Sequence, residues 1–141
     1  MKERSPQGHR CVPHTADVRI EAWAPSRERC LAEAVNALVD TFADTQGAHP
    51  TGMAEFRVEP GNDEEALVAV LDEVIYRLDT EGELPLDSEV HAFHGGLTVR
   101  WRTTDTDGVE LVGAVPKAVS LNELRFAPDG AGWSCAVTLD V

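Results

Sequence analysis

Between residues 17 and 24 the chain reads DVRIEAWA. Val18, Ile20, Ala22 and Ala24 alternate with Arg19, Glu21 and Trp23, the two-residue period of a strand with one face buried. Pro25 closes that strand and Ser26 is suited to cap a helix over residues 27–43. Leu31, Ala34, Val35, Leu38 and Phe42 fall on one face of that helix. A loop marked by Gly47, Pro50 and Gly52 follows, then a short strand over residues 55–59 with Phe56 and Val58 on one side. After the Pro60-Gly61 turn, Asn62 and Glu65 stand at the spacing of a capping box. Leu67, Val70, Leu71, Val74 and Leu78 then describe a second amphipathic helix ending near Thr80.

Gly82 and Pro85 break the helical pattern, and the remainder reads as strands. These cover residues 88–93, 97–104, 118–127 and 133–141, with a hairpin-like turn at 105–108 and a turn at Pro128-Asp129-Gly130. Strand–helix–strand occurs twice before antiparallel strands accumulate. The predicted fold class is therefore α+β, with two helices packed on a mostly antiparallel or mixed β-sheet. Residues 1–10 are polar and charged and read as a flexible N-terminal tail, leaving 11–141 as a single domain.

Charge narrows the partners. The chain has 141 residues, 12 Lys plus Arg and 25 Asp plus Glu, for a formal net charge of −13. Nucleic-acid affinity comes largely from cationic side chains that release counterions, so strong direct RNA or DNA binding is not expected. An anionic membrane surface is excluded on the same ground, and no apolar run is long enough to span a bilayer. The acidity is uneven: residues 55–89 hold twelve carboxylates against Arg57 and Arg77, a local net of −10. That stretch reads as a solvated helix face or as a docking face for a basic partner. Met1 to Arg10 contain no apolar core of a signal peptide. Cys11, Cys30 and Cys135 are odd in number and widely spaced, which reads as reduced thiols of a cytoplasmic protein, two of them in the core.

Few residues invite catalysis. There is no GxSxG, Gly95-Gly96 is a turn rather than a phosphate loop, and His91 and His94 would point to opposite faces of a strand. Cys11, three residues before His14, reads as a strand-edge thiol. Two places remain. Pro13-His14-Thr15-Ala16-Asp17 sets polar groups directly before a buried-type strand. At the other end, Asp140 precedes Val141, placing a side-chain carboxylate beside the α-carboxylate after an apolar strand. Such hard oxygen donors suit calcium, magnesium or manganese rather than zinc, and a solvated terminus is the plain alternative.

The segment HTADVRIEAWAPSRERCLAEAVNALVDTFAD, residues 14–44, resembles the opening of the archease family. The resemblance continues through EALVAVLDEVIYRLDTEGELPLDSEV and PKAVSLNELRF to the final Leu139-Asp140-Val141. It implies an archease-like fold and a non-enzymatic role as activator of the GTP-dependent RtcB-type RNA ligase of tRNA splicing and RNA repair. In that role it would promote ligase guanylylation and multiple turnover. The resemblance also implies a divalent-metal site at Asp17, Asp140 and Val141, holding calcium, magnesium or manganese, with His14 and Lys117 as supporting neighbours. Two alternatives stand beside it: a small metal-dependent hydrolase using Asp17, His14 and Asp140, and a chaperone-like scaffold using the acidic helix face of Glu64, Glu65, Asp72 and Glu73.

The chain departs from the family pattern after Lys117-Ala118-Val119. Ser120-Leu121-Asn122 stand where Thr-Tyr-His is frequent, and residues 107–114 carry no His. Asn122 keeps hydrogen-bonding capacity but cannot act as an imidazole base or ligand.

Overall fold

A computed structural model of the chain describes residues 5–13 and 17–141, with residues 12 and 13 described by backbone alone. Strand β2 (Asp17–Ala24) follows the predicted alternation, with Ile20, Ala22 and Ala24 buried. Helix α1 (Arg27–Asp40) starts where Ser26 caps it, the Ser26 side chain accepting from the Arg29 N–H. It stops earlier than its apolar pattern, because the Thr41 N–H and hydroxyl both turn back to the Leu38 carbonyl. Phe42, beyond the helix, is nonetheless fully buried. Cys30, Leu31, Ala34, Val35, Ala37, Leu38 and Val39 are all buried, an apolar surface wider than one stripe. The width has a cause: α1 packs against both β2 and β5 (Glu83–Phe93), which belong to different sheets.

Helix α2 (Asp63–Glu81) begins at the predicted Asn62 cap. The Asn62 side-chain oxygen accepts from the Glu65 N–H at 2.8 Å, and its amide donates to the Glu65 carboxylate at 2.7 Å. Gly82 ends the helix in the left-handed region, φ 63°, where a side chain would be strained.

Two helices and antiparallel strands are what the sequence predicted, but the strands divide among three sheets. The four-stranded sheet runs β1 (Gly8–Pro13), β2, β9 (Gly132–Asp140), β8 (Ala118–Asp129). The three-stranded sheet runs β4 (Gly52–Val58), β6 (Gly96–Asp105), β5. A two-stranded ribbon pairs β3 (Ala43–Asp44) with β7 (Glu110–Leu111). The helices and the two larger sheets share one apolar core containing Trp101, Phe42, Ile20, Leu67 and Leu139.

Several boundaries differ from the sequence reading, among them the start of β4 at Gly52 rather than Glu55. Residues 8–10, assigned to the tail, belong to β1, whose polar side chains lie at a sheet edge and so lack an apolar signature. Gly8 pairs with Trp23, and a Cβ at Gly8 would come within 2.8 Å of that indole ring. β5 starts at Glu83 and passes through Pro85; it is an edge strand, and its register shifts between Pro85 and Asp87, which accommodates the missing N–H. The stretch 105–108 is not a hairpin turn but a single 3-10 turn that sends the chain to β7. There the Val112 N–H donates to the Phe42 carbonyl at 2.8 Å. The tight turn between β5 and β6 is at His94-Gly95, both with positive φ, at the glycine pair where the sequence expects a turn.

Candidate functional site

The strand register brings the two ends of the candidate site together. On the antiparallel β2–β9 pair, Asp17 is the register partner of Asp140, and Asp140 in turn opposes Ala118 on β8. Directly opposed residues project from the same face of a sheet with Cβ atoms about 5 Å apart, so two carboxylates crowd one spot. Asp17 is half-buried and Asp140 exposed, and neither has an ion pair among the described residues. Val141 follows immediately and is 36% exposed.

Lys117 reaches the same place by its backbone: its N–H donates to the Asp140 carbonyl at 2.7 Å. The sequence reading missed a second cation on this face. Arg19 is two residues from Asp17 on β2, hence on the same side, and its guanidinium donates to Thr138 Oγ1 at 3.0 Å and to the Glu123 carbonyl at 3.2 Å. The period-two rule contains that signal, since Asp17, Arg19 and Glu21 share a face. Arg19 is held by these bonds rather than by the aspartates, so it dilutes their repulsion without cancelling it.

The donor set fits a hard divalent cation: carboxylate oxygens, at a sheet end open to solvent, without a paired cation. Among the described residues no three His, Cys, Asp or Glu side chains gather at metal-ligand spacing. The candidate set has two such side chains, Asp17 and Asp140, and the third donor that the resemblance implies is a carboxylate at Val141. His14, placed beside them by the sequence, lies outside the described residues. Asn122 sits in the irregular stretch of β8 between Ser120 and Arg125, exposed, with its N–H bonded to Ser120 Oγ.

A different histidine forms the tightest polar cluster. His9 on β1 reaches across to α1, with Nε2 at 2.7 Å from Asp40 and Nδ1 at 3.3 Å from Glu33. The hydrogen bond to Asp40 raises the His9 pKa; that to Glu33 and the charge of both carboxylates add to it, while partial burial opposes. Asp40 ends α1, where the helix dipole also favours a cation. Because His9 bonds a carboxylate on each nitrogen, it works as a clamp between β1 and α1. The sequence reading missed it because those partners are 24 and 31 residues away.

The acidic stretch 55–89 is less bare in space than along the chain. Arg100 pairs with Glu55, Arg102 with Asp87, and Arg27 with Asp63, all arginines from outside the stretch. Arg77 bridges Glu73 and Glu83. Among the described residues Glu59, Glu64, Glu65, Asp72, Asp79, Glu81 and Glu89 lack an Arg or Lys partner, and five of these seven are on α2, so the residual charge lies mainly along that helix. Of the thiols, Cys30 and Cys135 are buried and Cys11 is exposed, as expected for two core cysteines. A hydrogen bond with Cys135 and burial hold the Cys30 thiol well above its ordinary range. No helix among the described residues is long and apolar enough to cross a membrane.

Comparison with known proteins matches this architecture. The model of the Archease protein family (MTH1598/TM1083) matches residues 9–141. A probable protein archease of Mycobacterium tuberculosis strain H37Rv is 53% identical over 140 residues, which cover 99% of this chain and 78% of the relative. A protein archease of Archaeoglobus fulgidus is 27% identical over 135 residues, covering 94% and 98% of the two chains. Among solved structures, protein 1598 of Methanobacterium thermoautotrophicum superposes with a TM-score of 0.71 at 21% identity, covering 95% of this chain and 99% of that one. The crystal structure of an archease, described as a possible chaperone, from Thermotoga maritima gives 0.66 at 24% identity, covering 100% and 99%.

Proposed function

The chain belongs to the archease family, and on that premise we propose that it is a protein activator of a GTP-dependent RtcB-type RNA ligase, working through a divalent cation held by Asp17, Asp140 and the carboxylate of Val141. The observation that carries this reading is the register pairing of Asp17 with Asp140. Like charges directly opposed across strands are destabilising, and a chain that keeps them there without a paired arginine or lysine has a place for a cation. The bound cation would supply positive charge that complements phosphate groups. Lys117 fixes the end of β9 through its N–H, and Arg19 braces β2 against β9 and β8, so the two carboxylates are held in place by backbone rather than by flexible loops.

The charge balance supports an activator over a direct RNA binder. At a net −13 the chain does not compete for RNA, and its partner, an RNA-binding enzyme, is expected to be basic. The test is RNA joining by the ligase from the same source organism under substrate excess. Added at catalytic ratios, the chain raises the number of turnovers per ligase. No change in turnover at any ratio contradicts the reading. Hydrolysis of phosphoesters by the chain alone, lost in Asp140→Ala, would favour the hydrolase instead.

A further inference from the structure

A cleft of about 580 Å³ opens between the last turns of α2 and the segment 106–117. Its floor holds Ile75 and Leu78, and its walls hold Tyr76, Leu111 and Val115. The three wall residues are 59%, 53% and 42% exposed, in a chain where most large apolar side chains are buried. Apolar exposure concentrated in a concave place, with an aromatic at its edge, is the pattern of a protein contact rather than of scattered surface residues.

The charge around the cleft carries the second observation. Asp79 lines the cleft, Glu81 adjoins Gly82 in its wall, Asp105 and Asp107 flank Thr106, and Glu110 precedes Leu111. None of these five carboxylates has an ion pair among the described residues, unlike Glu55, Asp63, Glu73, Glu83 and Asp87 elsewhere in the chain. Asp79 in the lining, with four unpaired carboxylates next along the chain to other lining positions, makes the neighbourhood of the apolar floor acidic, which selects an apolar anchor flanked by lysine or arginine. The single cation in the lining, Lys117, is at the far side, where its N–H holds Asp140. The cleft and the aspartate pair are therefore joined through one residue.

Resting on the ligase reading, we infer that this cleft is where the ligase docks, seating an apolar side chain of a basic segment between Tyr76, Leu111 and Val115. A segment anchored there lies next to the β9 end, so docking presents Asp17 and Asp140 to the partner. A basic segment follows from the ligase's own need to bind RNA phosphates.

The experiment measures equilibrium binding of the purified chain to the ligase at two salt concentrations. Val115→Glu and Leu111→Glu, both at exposed positions and so compatible with folding, weaken binding by about tenfold or more. Leu121→Glu, also exposed but on β8 away from the cleft, binds like the parent. Asp79→Lys weakens binding and flattens its salt dependence. Equal binding by parent, Val115→Glu and Leu111→Glu overturns the docking cleft while leaving the activator reading intact. A parent chain that does not bind the ligase at all overturns both. A parent dimer that Val115→Glu converts to monomer assigns the cleft to a second copy and also overturns the inference.

Discussion

Asp17 and Asp140 lie directly opposite each other on antiparallel strands at one end of the four-stranded sheet. They are separated by nearly the whole sequence, and pairing of β2 with β9 over eight residues is what unites them. Replacing Asp17 by Asn removes the cross-strand repulsion. In chelator, Asp17→Asn should stabilise the fold by about 0.2–1 kcal/mol. With a divalent cation the order reverses: the parent gains stability as the metal saturates, about 2.7 kcal/mol at a hundred times Kd, and the variant does not. Thermal unfolding of both proteins with chelator, calcium, magnesium and manganese checks this. A metal-induced rise in Tm that survives in Asp17→Asn contradicts the site.

The His9 clamp predicts a pH dependence of stability. Its folded pKa is raised above the ordinary value of 6.5, with the Asp40 hydrogen bond as the first cause. The stabilisation is then fully present below about pH 6.5 and fades as pH rises through the folded pKa. His9 is partly solvated, so the effect is under about 1 kcal/mol. Denaturant melts at pH 5.5–8.5 should show the parent losing this increment on the alkaline side, and His9→Gln lacking it. Equal pH profiles for the two proteins refute the clamp.

Asn62→Ala removes the acceptor of the Glu65 N–H and the donor to its carboxylate. The expected loss is about 1 kcal/mol, read from the denaturation midpoint with unchanged slope. Asn62→Asp, which keeps an acceptor and adds charge favourable at a helix start, should recover most of it.

Thiol titration of the native protein should give one fast-reacting cysteine, the exposed Cys11, with Cys30 and Cys135 reacting only after unfolding. Cys11→Ser should abolish the fast phase. Two fast thiols in the parent would mean that the core around α1 opens readily.

Local chemistry wrote the helices plainly: Ser26, Asn62 and Gly82 each mark the boundary their side chain or φ angle imposes. The strands β2 and β6 were equally legible because each has one buried face, and β9 because its central run, Ser134 to Val137, is buried on both. β1 was not, since from Gly8 to Cys11 this edge strand has no buried residue to set an alternation. The hairpin assigned to 105–108 failed for a tertiary reason: the chain there is captured by Phe42 and β3, an interaction with no local signature. Asp17 and Asp140 could be named from sequence, but their adjacency depends on register, which alternation alone leaves open. Arg19 was visible by the same alternation as Asp17 and was passed over as a solvent-facing residue. The His9 clamp depends on contacts between remote segments, and no spacing announces it.

In the proposed role the carboxylate pair serves the ligase. The direct measurement is the fraction of ligase carrying guanylate after incubation with GTP and divalent cation, comparing no addition, the parent chain, and the Asp17→Asn/Asp140→Asn double variant. The parent should raise the guanylylated fraction and its rate of renewal, while the folded double variant leaves both at the level of ligase alone. Equal stimulation by the double variant and the parent would contradict it.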